Sequence, residues 1–434
     1  MFQKCVLFVA VMSICAQEEG ALPVATVYLE HDGEASDKGA FYRGEVSTLK
    51  GAYEKLGGEE ASCIRVVRDE RAYVAEELRI RNNGGITFEG VNKARDGSEE
   101  AAIDCDVRAR SALFTCEKVV QFRYLGFEFP ASSTKWEALI KANEMSTSLT
   151  ISNCRFVRVG AQARGEMVAL AEEEGSLEKS LVRAFAGSVA LNTVSCTDAS
   201  STASFSLSPF YFEGVSAVSL NGVEISQVAV QNGAAIGIFD KSDKPSAIVI
   251  EGLDVQEVNA ENGAAAGFEI SLISEESTVT IGRTSKCTFK LCRAAGGKAG
   301  AMLISVAKAT SNLQLPSASN LEIDSTNTAN STARSIFIVA PDFEEFSKQE
   351  DAFEFASDFD ESASGWVVGA ADGEAEGEAE LVDVYEHVKG NTDGHPKTSS
   401  SKDDDSSDLS LMISINVPIG FVILVIVICC CVCR

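Results

Sequence analysis

Two stretches of sequence decide the fold: AVSLNGVEISQVAVQNGAAIGIF at residues 217–239 and AIVIEGLDVQEVNAENGAAAGFE at residues 247–269. They align without gaps at an offset of 30 residues, and apolar, glycine and Asn-Gly positions match together. Within each stretch the apolar side chains alternate, which indicates short strands with one buried face. A repeat of this length built from strands predicts a parallel β-helix, in which each repeat is one coil and buries its apolar row only against its neighbours.

The same frame fits residues 278–302 after a short insertion, then residues 149–159 and 189–199, and less closely residues 122–129. These copies predict about ten coils of roughly 30 residues between residues 63 and 340. The competing sandwich or propeller predicts turns every 8 to 12 residues or so, without this in-frame recurrence. Equivalent positions should stack as a core ladder inside the coils, about 4.8 Å apart. The predicted ladder is Phe127, Cys154, Val194, Val223, Leu253 and Cys287.

Both ends of the chain carry targeting signals. Residues 1–16 read as a signal peptide, with Lys4 before a short apolar core and Ala16 as a small residue for cleavage. Residues 409–433 are apolar for long enough to span a bilayer as a helix, and Arg434 follows them. Acidic residues precede this helix, so the positive-inside rule predicts a single-pass type I protein at the cell surface. The alternative for this tail is the signal for a glycosylphosphatidylinositol anchor.

Charge is concentrated in one segment between the β-helix and the membrane helix. The net charge is −27, and residues 341–408 contribute −17 of it, from 21 acidic and 4 basic side chains (21 − 4 = 17). This composition predicts a solvated, self-repelling stalk. Such an acidic protein repels phosphate backbones, so nucleic-acid binding is not expected.

The cysteines sort by position. Four of them, Cys429, Cys430, Cys431 and Cys433, lie at the inner end of the predicted membrane helix, where S-palmitoylation and apolar helix filling are equally good interpretations. Cys5 and Cys15 lie in the predicted signal peptide. Seven of the 13 cysteines remain outside the membrane, an odd number without a C-x-x-C pair, which favours core filling with one or two bridges over a disulfide framework. Asn330, in Asn-Ser-Thr, is the one N-glycosylation sequon.

One copy of the repeat carries a resemblance. The segment CTFKLCRAAGGKAGAM at residues 287–302 resembles the repeat of polymorphic outer membrane proteins, a Cys-x-Phe strand followed by a Gly-Gly-Ala turn. The opening segments at 25–39, 47–56 and 64–80 and the closing segment at 335–346 are similar to membrane-anchored protist surface proteins with the same fold. The resemblance implies a right-handed, pectin-lyase-like parallel β-helix, with residues 17–62 as a cap made of a strand and a helix.

No catalytic apparatus is recognisable. Enzymes of the resembling superfamily would need clustered Asp with His or Arg, whereas this chain has only His31, His387 and His395. Asp104 and Asp106 share a strand face with the spacing that a calcium site or a carboxylate pair would need, but solvated surface is the preferred interpretation. We expect no enzyme activity, no cofactor and no metal.

The sequence therefore predicts an all-β ectodomain with a right-handed parallel β-helix (solenoid) and a C-terminal transmembrane helix. The predicted role is a structural or adhesion-type surface protein whose partners are membrane lipid through the helix and extracellular glycans, matrix or neighbouring copies through the rod. The alternative is a polysaccharide lyase or glycoside hydrolase with an unrecognised site. A receptor is disfavoured, because only Arg434 would lie beyond the bilayer.

Overall fold

The computed structural model describes residues 25–29, 48–56, 61–67, 73–74, 77–91, 101–104, 112–130, 137–159, 180–198, 205–240, 245–274, 276–306, 312–314, 320–330, 335–340 and 368–372. All of them belong to one compact unit, residues 1–392. The predicted signal peptide, the predicted membrane helix at 409–433 and most of the predicted stalk lie outside the described residues. Within those residues, no helix has the length and apolar character needed to cross a membrane.

The described elements are one helix and thirty strands. The first part of the chain forms β1 (Ala25–Leu29), α1 (Leu49–Lys55), β2 (Ser62–Val67), β3 (Tyr73–Val74), β4 (Leu78–Ile80), β5 (Ile86–Val91), β6 (Ala101–Asp104), β7 (Ala112–Cys116), β8 (Val119–Arg123), β9 (Leu125–Pro130), β10 (Ala138–Ala142), β11 (Ser148–Val159), β12 (Ser180–Ala184), β13 (Ser188–Asp198) and β14 (Phe210–Glu213). The second part forms β15 (Ala217–Ser226), β16 (Ala229–Val230), β17 (Ile236–Phe239), β18 (Ala247–Glu251), β19 (Asp254–Gln256), β20 (Asn259–Ala260), β21 (Phe268–Leu272), β22 (Thr278–Ile281), β23 (Cys287–Lys290), β24 (Arg293–Ala294), β25 (Met302–Val306), β26 (Asn312–Gln314), β27 (Leu321–Ile323), β28 (Thr328–Ala329), β29 (Ile336–Ala340) and β30 (Val368–Asp372).

The strands form three sheets, which we call sheets A, B and C. Sheet A has 16 strands and contains β1, β2, β5, β8, β11, β13, β15, β18, β22 and β26, with shorter neighbours on the same surface. Sheet B has 10 strands, from β4 to β30, and sheet C has four, β16, β20, β24 and β28. Every strand pairing among the described residues is parallel. The chain thus returns to the same sheet once per repeat, as a parallel β-helix or solenoid requires, and the all-β prediction is confirmed.

One residue per coil of sheet A has a left-handed backbone, and it explains why two neighbouring buried positions are three residues apart. Leu220 and Val223 both point into the core although they are three residues apart, because Gly222 between them has φ +64° and reverses the alternation. The equivalent residues of neighbouring coils also have positive φ: Tyr124 (55°), Asn153 (52°), Thr193 (54°) and Gly252 (62°). A left-handed backbone costs a side-chain-bearing residue about 1–2 kcal/mol, so the stacking of coils must supply this energy at the three non-glycine positions.

The main core cluster lies inside the coils, and phenylalanine dominates its first half. A second, smaller cluster of buried apolar residues includes Ala234, Leu303 and Phe337. The Phe88 and Phe122 rings stack with centroids 5.1 Å apart, and the Phe127 and Phe156 rings with centroids 4.9 Å apart. Aromatic pairs of this kind add about 0.5–1.5 kcal/mol each beyond the area they bury. The coils are therefore held by ladders of like side chains, as the repeat predicts.

Two details of the predicted register are wrong. Phe127 pairs with Phe156, so the residue level with Cys154 is two positions earlier, at Leu125. The ungapped alignment of the first two stretches also fails near its end, because Ile236 pairs with Phe268 at an offset of 32. The loop between the sheet C strand and the sheet B strand is longer in the second stretch, whereas the pairing in sheet A keeps the offset of 30 residues.

The predicted stalk also contains one element of the β-helix. Strand β30, Val368–Asp372, lies within residues 341–408 and extends sheet B by pairing with β29. The rest of that segment lies outside the described residues. At the other end, β1, α1 and β2 follow one another as the expected strand, helix and strand, and β1 pairs with β2.

Candidate interaction surface

The predicted core ladder is buried throughout. Cys154 pairs with Val194, and Val194 pairs with Val223. The flanking pairs Glu224–Asp254 and Asp254–Thr288 bring Leu253 and Cys287 into the same register. None of the six ladder residues is more than 2% exposed. They form the interior of the protein, so any interaction site must use the outer rows of side chains.

The other predicted positions fall on the surface or outside the described residues. Asn330 is exposed at the end of β28, and its N–H donates to the carbonyl of Gly297 at 3.1 Å. Asp104 is level with Glu128 on the next coil, while Asp106 lies outside the described residues. The four cysteines at 429–433 lie outside as well. Glycosylation and palmitoylation therefore stay predictions.

The six described cysteines are buried thiols, without a disulfide among them. Burial raises the pKa of the Cys63 and Cys287 thiols to about 11 and that of Cys292 to about 12, and it raises the pKa of Cys116 and Cys196 further still. Only a thiolate is a strong nucleophile or metal ligand. These cysteines accordingly behave as small core residues, as the sequence indicates, but the one or two bridges expected from the sequence do not occur among the six described thiols. No group of three or more His, Cys, Asp or Glu suited to a metal ion occurs in the described part of the chain.

Three neighbouring aromatic rings lie on the outer face of sheet B, and we call Phe185, Tyr211 and Phe239 the aromatic strip. They are staggered, because Tyr211 is level with Gly237 and Phe239 is level with Glu213. They come from three successive coils, because β12 pairs with β14 and β14 with β17. The Phe185 and Tyr211 centroids are 6.5 Å apart, and the Tyr211 and Phe239 centroids are 5.2 Å apart with a 34° angle between the rings. All three rings are half-buried, so part of each reaches the surface.

Local sequence explains why these rings point outward. In β14, Phe210 and Phe212 are fully buried in the core, and strand alternation therefore turns Tyr211 to the outer face. The neighbouring position in β17 is Gly237. A Cβ there would lie 2.7 Å from the Phe239 ring, so the absence of a side chain lets this ring lie flat against the sheet.

Two cations and a carboxylate occupy one end of the aromatic strip. The Arg183 guanidinium lies 4.5 Å from the Phe185 centroid and 5.1 Å from the Tyr211 centroid. Glu137 accepts from Arg183 at 3.1 Å and from Lys141 at 2.6 Å. Cation–π contacts of this sort contribute about 0.5–2 kcal/mol each and fix the orientation of the rings.

Two carboxylates lie beside the rings: Glu213 is level with Phe239, and Glu269 is one coil further on. The Tyr211 hydroxyl donates to Glu213 at 2.7 Å. Glu269 is level with Gly237 on the next coil, and no described residue forms a hydrogen bond or an ion pair with its carboxylate. Burial raises the pKa of Glu269 above its usual range. Glu269 is therefore a half-buried carboxylate on the outer face of sheet B, one coil beyond Gly237.

The sequence contained a signal for the aromatic strip that the repeat analysis passed over. Phe185, Tyr211 and Phe239 are separated by 26 and 28 residues, close to the repeat length. In the Phe-Tyr-Phe run the middle aromatic residue must face away from the core. The core ladder contains only buried positions, so these outward-facing residues are not part of it.

No family model, no curated protein and no solved structure matches the chain.

Proposed function

We propose that the protein is a non-catalytic cell-surface protein of structural or adhesion type, which displays a right-handed, pectin-lyase-like β-helix for contact with glycans, matrix or neighbouring copies. A signal peptide at residues 1–16 directs it to the secretory pathway, and a transmembrane helix at 409–433 holds it in the plasma membrane. The observation that carries the proposal is the aromatic strip, a group of three half-buried rings from three successive coils.

The construction of the coils supports this role. Each coil places its apolar residues in one shared interior, which leaves the outer residues in rows spaced about 4.8 Å apart. Solenoids of this kind use such extended regular surfaces for binding. Rows of half-exposed aromatic rings are unusual on surfaces that contact only water, because large aromatic side chains are enriched where proteins bind partners.

The first experiment tests location. The full chain is expressed with an epitope inserted between Ser400 and Ser401, and intact cells are stained with the matching antibody. We expect staining without permeabilisation, because the positive-inside rule puts this segment outside. Staining that appears only after permeabilisation would reject the proposed topology.

The second experiment tests the non-catalytic assignment and the adhesive role. Cells that display the chain should adhere to a surface coated with extracellular matrix or glycans more strongly than cells that lack it. The same chain, solubilised in detergent, is incubated with pectin and related polysaccharides, with and without calcium. Release of unsaturated or reducing sugar ends would overturn the proposal in favour of a polysaccharide lyase or hydrolase.

A further inference from the structure

Two Asn-Gly dipeptides lie in equivalent turns between sheets C and B. Asn232-Gly233 follows β16, and Asn262-Gly263 follows β20 on the next coil. Both asparagine side chains are exposed. We propose that Asn262 is a deamidation site, at which the chain modifies itself by reaction with water, and that Asn232 is protected from the same reaction. The reaction does not depend on the proposed surface role.

Deamidation at Asn-Gly is an intramolecular substitution. The backbone nitrogen of the glycine attacks the side-chain carbonyl carbon, Cγ, of the asparagine, so a new N–Cγ bond forms and the Cγ–Nδ2 bond breaks. The amide leaves as ammonia, which takes up the proton that the glycine nitrogen loses. Water then opens the cyclic imide at either carbonyl and gives aspartate or isoaspartate. Glycine favours the reaction because it has no Cβ to obstruct the approach to its nitrogen.

The attacking nitrogen is available at both turns. The N–H groups of Gly233 and Gly263 donate to no acceptor in the described part of the chain. The backbone in front of Gly263 is held in place, because the Asn262 N–H donates to the Gln231 carbonyl oxygen at 2.7 Å. The attack therefore breaks no hydrogen bond of the glycine, and the turns differ only in how the asparagine is held.

The side-chain amides distinguish the two turns. The Asn232 Nδ2 atom donates to the Ser206 carbonyl oxygen of the preceding coil at 3.2 Å, and the Asn232 N–H donates to the same oxygen at 3.1 Å. Turning the Asn232 Cγ atom towards the next nitrogen breaks the side-chain contact. The Asn262 side chain forms no hydrogen bond with any described residue, so it rotates towards the Gly263 nitrogen without such a loss.

The isoaspartate product should loosen the contact between the turns. Gly263 is buried, and a Cβ built on it would lie 2.0 Å from the Gly233 carbonyl oxygen. Isoaspartate routes the main chain through the side chain and lengthens it by a methylene group immediately before Gly263. Turns that already touch leave no room for this extra length. Deamidation at Asn262 should therefore lower the stability of the stacked coils.

The test follows both dipeptides in one sample of the full chain, solubilised in detergent and aged in mildly alkaline buffer. Peptide mapping by mass spectrometry detects the mass gained when –OH replaces –NH2 at each asparagine. In the folded chain we expect Asn262 to convert about fivefold faster than Asn232, the effect of one neutral hydrogen bond on a rate. In denaturant the Ser206 contact is lost, so the two rates should become equal.

Matched variants test the effect on stability. Ageing should lower the Tm of the natural chain and of Asn232→Gln alike. It should not lower the Tm of Asn262→Gln, because the longer side chain forms the cyclic imide much more slowly. Asn262→Asp introduces the charge without lengthening the main chain, so it should be more stable than aged protein that contains isoaspartate.

Three results would overturn the proposal: faster conversion of Asn232 in the folded chain, equal rates at the two sites in the folded chain, or no conversion of Asn262 while the unfolded chain reacts. An aged chain that has formed isoaspartate at Asn262 and keeps its Tm would contradict the packing of the turns. Epitope staining and cell adhesion measure the surface role separately, so the two proposals fail independently.

Discussion

At the scale of single residues, the ion pair of Arg158 and Asp198 is buried. Arg158 and Asp198 are level on β11 and β13, and the Arg158 Nη1 atom lies 2.9 Å from the Asp198 Oδ2 atom. The two side chains are 5% and 0% exposed. The guanidinium also faces the Phe205 ring at 4.5 Å. Burial lowers the pKa of Arg158 while Asp198 opposes the shift, so the pair holds its charges because each neutralises the other.

A double-mutant cycle measures this dependence. Asp198→Ala alone should destabilise the protein by about 3–5 kcal/mol, because it leaves a buried guanidinium without its carboxylate. Arg158→Met keeps much of the packing against the neighbouring rings. The double variant Arg158→Met/Asp198→Ala should therefore be more stable than the sum of the single effects predicts, in denaturant unfolding. Additivity within about 0.5 kcal/mol would show that the charges do not depend on each other.

Glu269 should make stability depend on pH. Burial raises its pKa in the folded chain, so the folded state keeps the proton at a higher pH than the unfolded state does. Stability then falls as pH rises from the ordinary glutamate value of about 4.3 through the raised pKa, and the ionised group destabilises the fold at neutral pH. Glu269→Gln should raise Tm at about pH 7.5, and this gain should shrink towards about pH 4.

The matched control is Glu276→Gln, which changes an exposed carboxylate. It should alter Tm little at either pH. A gain in Glu269→Gln that is the same at both pH values would contradict the assigned cause.

At the scale of elements, the turns between sheets C and B are packed coil on coil. A Cβ at Gly263 would lie 2.0 Å from the carbonyl oxygen of Gly233 on the preceding coil. At Gly296, on the following coil, the nearest atom is the Glu261 carbonyl oxygen at 3.2 Å. The two glycines occupy similar turns but differ in the space they leave.

Alanine substitution should separate them. Gly263→Ala should cost roughly 1–3 kcal/mol of unfolding free energy, because the backbone must shift to admit the methyl group. Gly296→Ala should change it by no more than about 0.5 kcal/mol. Thermal and denaturant unfolding of the two variants side by side make the comparison, and equal costs would mean that the coils are not packed as described.

The elements also show what sequence reasoning can reach. Alternation and the 30-residue offset predicted sheet A, and the pairing of Ala217 with Ala247 has that offset. The placement of Phe127 failed because its neighbourhood is rich in phenylalanine, so several alignments bury equally apolar residues. Sheet B shifted because turn residues after Gly263 can be added without exposing any core side chain. The alternation of apolar residues therefore predicts the positions of strands better than it predicts the lengths of the loops between them.

At the scale of the whole molecule, the aromatic strip follows from stacking. No sequence pattern within one coil brings Phe185, Tyr211 and Phe239 together, since consecutive members are 26 and 28 residues apart. They meet only because successive coils repeat the same path. A solenoid gains most of its stability from contacts between neighbouring coils. The aromatic strip therefore forms only if the coils that carry its three residues stack in the correct register.

Disulfide trapping across neighbouring coils tests this register most directly. Ser188 is level with Ala217, and Ala217 is level with Ala247. We predict that a Ser188→Cys/Ala217→Cys variant forms a disulfide under mild oxidation, detected by peptide mapping, because Cα atoms on adjacent parallel strands lie about 5 Å apart, within bridging range. The Ser188→Cys/Ala247→Cys variant, whose positions are two coils apart at roughly 10 Å, should not form one. Bridging in the second pair but not in the first would contradict the stacking of coils on which the account depends.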